Sequence, residues 1–448
     1  MSPNLATRIA EDFAAATVAA ESPESLNPAD LQRHRAMQAL TERGLPTSRD
    51  ENWKYVNLRP LEKVRFAPPP RTTQPALTAQ DLPTPIARYA RYTFVDGVFA
   101  PSLSAPTTHA GVSVKSWSQG LARAPAARPT SKDTAPVNSS VLPSDLRFTL
   151  LNEAFATDGA LIEVAPGVDC QSCVELVFVA TADAKAGSSY PRVDIQVGAG
   201  ARFDLIERHI SLGSDSSFIN CAVSLEVNRD AAVQHYRVQQ TGPRAIWFDT
   251  LTANLAANAR YQVHSVSLGA LSARSTVHVQ LAGAHSEVGV FGVSVGGRNQ
   301  VHDTFALVEH IAPDARTEQS FRGIAAGRAR VAFNGKIVVQ KNARGTDSRQ
   351  SLRGLLAGSD AEIDVRPQLE IYTDDVRCNH GATAGKLDDN MLFYLLSRGL
   401  DRETAQRLLK WAFLEDVVAK IEVPELRRQI EQSLAGHLNE AAVLKELF

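Results

Sequence analysis

The chain has 448 residues, 44% hydrophobic and 21% charged, with 47 Lys and Arg against 49 Asp and Glu for a formal net charge of −2. That balance belongs to an ordinary globular protein; it carries no basic excess suited to nucleic acid, no block of like charge, and no apolar run of about eighteen residues that would span a membrane. Four cysteines, Cys170, Cys173, Cys221 and Cys378, are too few for a disulfide scaffold and point to a reducing cytoplasm.

The opening stretch, MSPNLATRIAEDFAAATVAAESPESLNP, lacks a basic segment followed by an apolar core. Glu11, Asp12, Glu21 and Glu24 interrupt it, which argues against a targeting peptide. Residues 1–67 read as a helical region. In NPADLQRHRAMQALTERGLP, Asn27 suits an N-cap, Pro28 the first helical position and Gly44 the residue past the end, while Leu31, His34, Ala36, Met37 and Leu40 form an apolar stripe. Trp53 and Tyr55 in ENWKYVNL read as a packed aromatic corner. Residues 68–147 are a Pro/Ala-rich linker with short strands, among them a hairpin over 92–99 turning at Asp96-Gly97.

Residues 148–386 are full of short alternating segments such as ARFDLIERHI, ARYQVHSVSLG and STVHVQLAG, the pattern of strands with one buried face. A turn residue followed by Ala recurs at Ala201, Ala231, Ala259, Ala284, Ala315, Ala329 and Ala361, at intervals of 30, 28, 25, 31, 14 and 32 residues. A repeat of that length, holding two or three strands, fits the coil of a parallel β-helix better than a β-sandwich. Residues 387–448 are helical again. Asp388 and Asp401 suit N-caps, Leu408, Leu409, Ala412, Phe413, Val417 and Ile421 share a face, and Pro424 opens a further helix with Leu426, Ile430 and Leu434 on one side.

Candidate sites sort by spacing. GATAGK resembles a phosphate loop, but Gly381 and Gly385 are one residue too close and Leu387 stands where a Ser or Thr must hold magnesium; Asn334-Gly335-Lys336-Ile337 fails at the same place, so no nucleotide site is expected. Cys378 and His380, two apart, leave the same face of an extended chain and suit zinc, iron or an iron–sulfur unit, but two ligands are half a site. Cys170-Gln-Ser-Cys173 reads as a turn between strands with two incidental thiols. No GxSxG or HExxH motif is present, and no nucleophile stands next to an evident base.

PQLEIYTDDVRCNHGATAGKLDDNMLFYLLSRGL (367–400) strongly resembles the signature of the SufB/SufD family, the paired β-helix subunits of the SUF iron–sulfur cluster assembly machinery. The likeness continues upstream through FNGKIVVQKNARGTDSRQSLRGLLAGSDAEIDVRP (333–367) and downstream through LFYLLSRGL and LLKWAFLEDV. SufB-type chains carry a cysteine within the segment matching Gly345–Arg349 and a Glu after the motif His; this chain has GTDSR and Gly381, so it resembles the SufD branch. The resemblance implies a right-handed parallel β-helix between N- and C-terminal helical regions. It further implies a non-enzymatic cytoplasmic subunit pairing with a SufB-type chain, with a SufC-type ABC ATPase docked on residues 387–448. A homodimer is the other pairing to expect, and neither nucleic acid nor membrane is a partner. His380 is then the residue implicated in assembling a transient cluster at the shared interface, Cys378 a weaker contributor, and no cofactor is held tightly by the chain alone. Alternative expectations are a carbohydrate-active β-solenoid enzyme and a SufB-like scaffold holding a cluster unaided.

Overall fold

The computed structural model describes residues 3–17, 28–56, 58–69, 77–107, 109–116, 143–181, 185–212 and 216–438. Helices α1 (Pro3–Ala16) and α2 (Pro28–Arg43) lead the chain. Strands β1 (Ala90–Val95) and β2 (Val98–Phe99) form the expected hairpin, with Asp96 at φ 47 and Gly97 at φ 82 supplying the two left-handed positions of its turn. Then come β3 (Val112–Ser116), α3 (Arg147–Phe155), β4 (Ala160–Val164), β5 (Asp169–Ala180), β6 (Ser188–Ser189) and β7 (Arg192–Val197). The proposed N-cap Asn27 lies outside the described residues, as does the Pro/Ala-rich stretch over 117–142.

From β8 onward the chain alternates between two sheets and builds a parallel β-solenoid of about eight coils. One sheet takes β8 (Arg202–Ser211), β10 (Ala232–Thr241), β12 (Arg260–Gly269), β14 (Glu287–Gly296), β16 (Arg316–Ala325), β18 (Thr346–Leu356) and β20 (Val376–Gly385). The other takes β9 (Phe218–Val227), β11 (Ile246–Leu255), β13 (Ser272–Leu281), β15 (Val301–His310), β17 (Arg330–Val339) and β19 (Glu362–Ile371). Arg202 lies beside Ala232, Ala232 beside Arg260 and Arg260 beside Glu287, so each residue stacks on its counterpart one coil away. A coil thus holds two long strands rather than three short ones.

The repeated Ala marks most of the corners; at Ala284 the left-handed residue is the following His285, with Ser286 turned inside, and Ala361 is only half-buried. Gly200, Asp230, Asn258 and Asp314 sit in the left-handed region, which favours Gly, Asn and Asp, and each is followed by an Ala at most 1% exposed that must be small to turn into the interior. The odd interval of 14 is half a coil: Ala315 opens β16 in the first sheet and Ala329 opens β17 in the second.

The alternating residues fill the interior: Phe203, Leu205, Tyr261, Val263, Val277, Val279, Leu281, Ile337 and Val339 are all buried in one continuous core. The expectation of one buried face understates the burial. The outer positions of the middle coils are apolar too, and helices cover them. Trp53, Phe148 and Phe155 from the N-terminal segments pack on Phe218, Ile246 and Phe248. Trp53 stacks on Phe148, with the Arg274 guanidinium 4.5 Å from its ring, whereas Tyr55 lies under Arg330; the aromatic corner splits into two environments. Helices α4 (Asp389–Ser397), α5 (Arg402–Val418) and α6 (Pro424–His437) close the chain. Leu414, Val417, Val418, Ile421, Leu426, Ile430 and Leu434 cover Val266, Leu268, Val293, Val295 and Ile324 of the first sheet. The buried stripe of α5 is therefore turned toward Leu414 and Val418, leaving Leu408 and Leu409 half-buried.

Burial drives the imidazoles of His264, His302 and His310 down to about 4, 4 and 3, so all three are neutral in the native chain. Unfolding returns them to about 6.5, so the unfolded chain takes up protons first as the pH falls, and native stability present above 6.5 is lost below it. The expected result is a fall on the order of 2 kcal/mol per histidine between pH 7 and pH 5, read as a lowered urea midpoint. An unchanged midpoint over that range would show that these rings are not held neutral.

Candidate functional site

The last coil ends the first sheet with β20, which among the described residues pairs only with β18. The segment GATAGK is therefore not a loop: Gly381 to Gly385 is extended strand, and Gly335-Lys336 is likewise inside β17. An extended backbone alternates its N–H groups to either side and cannot cradle a phosphate.

Cys378 and His380 stand beside Ser348 and Gln350 in register. Both belong to the face that lines the interior, where Cys378 packs half-buried against the core while His380 is exposed. The strand brings together the pair expected from spacing. Burial pushes the Cys378 thiol above its ordinary value of 9.0, and Asp347 pushes the same way against a hydrogen bond with Ser348, so a metal must displace its proton to bind. His380 also borders a shallow groove walled by Glu318, Arg322, Asp416 and Lys420, where α5 meets the last coils through the pairs Arg322–Asp416 and Lys420–Glu318.

Beyond β20, the Asp388 side chain accepts from the backbone N–H groups of Asn390 and Met391 and starts α4; Asp401 accepts from Thr404 N–H and starts α5. Both expected caps are in place, and Gly399 at φ 93 follows α4. Leu392 is buried, but Met391, Phe393 and Tyr394 are 59%, 71% and 55% exposed, and Ile371 and Tyr372 at the end of β19 are exposed as well. Large apolar surface of this kind marks contact sites.

Sequence reasoning missed two clusters. Cys221 Sγ lies 3.5 Å from His209 Nδ1, and His209 in turn bonds Glu207, so a thiol does stand next to a base. It is no nucleophile: complete burial, reinforced by Asp249 and Glu207, holds the thiol well above its ordinary value. Glu207 also accepts from Arg237, which donates two bonds of 2.7 Å to Asp249. Burial alone would raise the Glu207 carboxyl, but Arg237 and the two histidines His209 and His235 hold it well below the carboxylate range. The coil period was the available signal, because Glu207 and Arg237 are stacked counterparts on β8 and β10. The second cluster corrects the reading of CQSC as a turn with incidental thiols. Cys170 and Cys173 lie within β5, joined by a disulfide, at a point where the strand bulges.

No helix among the described residues is long and apolar enough to cross a membrane. Residues 178–413 match the family model described as SUF system FeS cluster assembly, SufBD core domain, and residues 12–176 match the SufBD protein N-terminal region. The chain is 30% identical to the iron–sulfur cluster assembly protein SufD of Escherichia coli (strain K12), over 89% of this chain and 90% of that one. It is 25% identical to an iron–sulfur cluster assembly SufBD family protein of Synechocystis sp., over 90% of both chains. The chloroplastic protein ABCI7 of Arabidopsis thaliana is 27% identical over 65% of this chain and 63% of its own.

Proposed function

Since the chain belongs to the SufBD family of the SUF iron–sulfur cluster assembly system, we propose that it acts as the SufD-type, non-ATPase subunit of a cytoplasmic complex, pairing with a SufB-type chain and carrying a SufC-type ABC ATPase. The observation that carries this reading is the open last coil. Among the described residues β20 presents ten residues of unpaired strand edge with no proline, and such an edge pairs with another strand unless blocked. The companion edge β19 contains Pro367, which lacks an N–H to donate there. His380 and Cys378 lie on the free edge, so each partner would bring part of one ligand set to a transient cluster. The segment matching the SufB-type cysteine, Gly345–Arg349, runs along β18 directly beside them, and here Ser348 rather than a cysteine stands opposite Cys378. Helices over the outer faces of the middle coils also support assembly over a carbohydrate-active solenoid, which needs a long open cleft.

The ATPase is assigned to α4 and its surroundings because Met391, Phe393 and Tyr394 are apolar, exposed and adjacent. Phe393→Asp is expected to weaken ATPase association by roughly thirty-fold, the effect of losing a hot spot of about 2 kcal/mol, without lowering the melting temperature. Unchanged association would remove α4 from the interface.

The whole reading is tested by isolating the tagged full-length chain from its native cytoplasm. The expected co-purifying chains are a SufB-type protein and a SufC-type ATPase, while the purified chain alone hydrolyses no ATP. Recovery of a homodimer without either partner would contradict the heterodimer.

A further inference from the structure

Residues three apart in a regular strand point to opposite faces. Cys170 and Cys173 do not, because β5 bulges between them: Cys170 pairs with Phe203, yet Val174 already pairs with Leu205, so two extra residues are accommodated. Ser172 takes up the excess at φ 61, a left-handed conformation that costs a non-glycine residue on the order of 1 kcal/mol. The result is a Cα–Cα separation of 5.5 Å, with both sulfurs in the interior of the first coils, 6% and 0% exposed by residue. Bulges of this sort recur where a side chain has to be re-aimed.

A third donor faces them. His109 precedes β3, which pairs antiparallel with β4 in the opposite sheet. Its imidazole and the two sulfurs all place a ligand atom within 4.8 Å of one another. Its Nε2 is buried and meets no hydrogen-bond partner. A buried ring nitrogen without a partner is costly, and an ion would satisfy it. Two sulfurs and a nitrogen bound to one tetrahedral zinc stand about 3.5–3.8 Å apart, within the spread of these donors once the disulfide is opened and the two sulfurs separate.

We infer that His109, Cys170 and Cys173 form a redox-gated zinc site at the closed end of the solenoid, opposite the open coil that carries Cys378 and His380. In the oxidised state the sulfurs are bonded to each other and cannot bind. A dithiol reductant delivers two electrons and two protons, breaks the S–S bond and leaves two thiols. One Zn²⁺ then displaces both thiol protons and takes two thiolates and the neutral His109 imidazole, with its fourth position open to water. The charges of one dication and two thiolates cancel, which makes the assembly tolerable in an apolar interior. Soft sulfur with imidazole in a tetrahedral set selects zinc over magnesium or calcium. The bound ion ties the segment holding His109 and β3 to the first coils.

The test uses the full-length chain reduced with a phosphine and titrated anaerobically with Co²⁺, then Zn²⁺. One equivalent of Co²⁺ should give sulfur-to-cobalt charge transfer and tetrahedral d–d bands, both removed by Zn²⁺. Cys170→Ser with Cys173→Ser should abolish the bands, and Cys378→Ser should leave them. His109→Gln should shift the d–d bands and weaken Zn²⁺ binding by roughly tenfold or more, as expected for losing one donor. The untreated, disulfide-bonded chain should show no such bands until reductant is added. Circular dichroism without metal checks that each variant folds; if the double serine variant does not, His109→Gln decides. Absence of thiolate–cobalt bands in the reduced wild type, or bands unaffected by His109→Gln, would overturn the assignment.

Discussion

His380→Ala is expected to leave the chain folded and to abolish cluster formation by the assembled complex. The fold should not respond, because His380 is exposed on an edge strand and an exposed side chain contributes within about 0.5 kcal/mol. Under the proposed pairing, function should respond, because the exposed imidazole stands on the edge where the partner strand would lie. The measurement is anaerobic reconstitution of the purified complex, read by the visible absorbance of the cluster, beside a thermal melt of the isolated chain. Cys378→Ser should cost less, since that thiol is half-buried, raised in its titration and bonded to Ser348. A wild-type cluster yield from His380→Ala would take His380 out of the mechanism; a lowered melting temperature would mean its role is structural.

Arg237→Leu should be the most destabilising single change in the solenoid interior. Glu207 and Asp249 are 0% and 2% exposed, and Arg237 donates to both. Burial opposes the guanidinium charge, yet the two carboxylates hold it well above its ordinary value. Removing it strips Asp249 of its guanidinium partner and leaves Glu207 with only the imidazoles of His209 and His235, a change that costs about 3–5 kcal/mol. The sign of the pH dependence separates this from simple cavity formation. Without Arg237, the burial that raises the Glu207 carboxyl loses its strongest opponent, so the variant holds that proton more readily than the wild type and the penalty eases as the pH falls toward 5. The penalty measured by urea unfolding should shrink from pH 7 to pH 5. A penalty below about 1 kcal/mol, or one that does not vary with pH, would mean the charges are relieved in another way.

Much of the architecture was legible from short stretches of sequence. The turn-plus-alanine repeat marks corners because a left-handed position followed by a small buried residue is a local steric requirement, satisfied at Gly200-Ala201, Asp230-Ala231 and Asn258-Ala259 alike. The Asp388 and Asp401 caps and the Asp96-Gly97 turn were readable for the same reason: each involves only a few consecutive residues. The shared face of Cys378 and His380 follows from the two-residue period of a strand.

What lay beyond reach depends on register between coils. Glu207, Arg237 and Asp249 meet because two coils stack in step and the chain crosses to the other sheet between them, and no local pattern encodes that distance. The β5 bulge reverses the face expected of Cys173, and only the tertiary structure brings His109 from a distant segment over the two sulfurs. Likewise, Leu392 and Phe393 are adjacent apolar residues, but the docking of α4 buries one and exposes the other. The sequence by itself determined the coil, most of its corners, the caps and the shared face of Cys378 and His380, because each is set by short-range sterics and hydrogen bonding. The tertiary structure decided which charges meet in the interior, which cysteines share a face and which apolar side chains are left for a partner, because those outcomes are fixed by how distant segments stack.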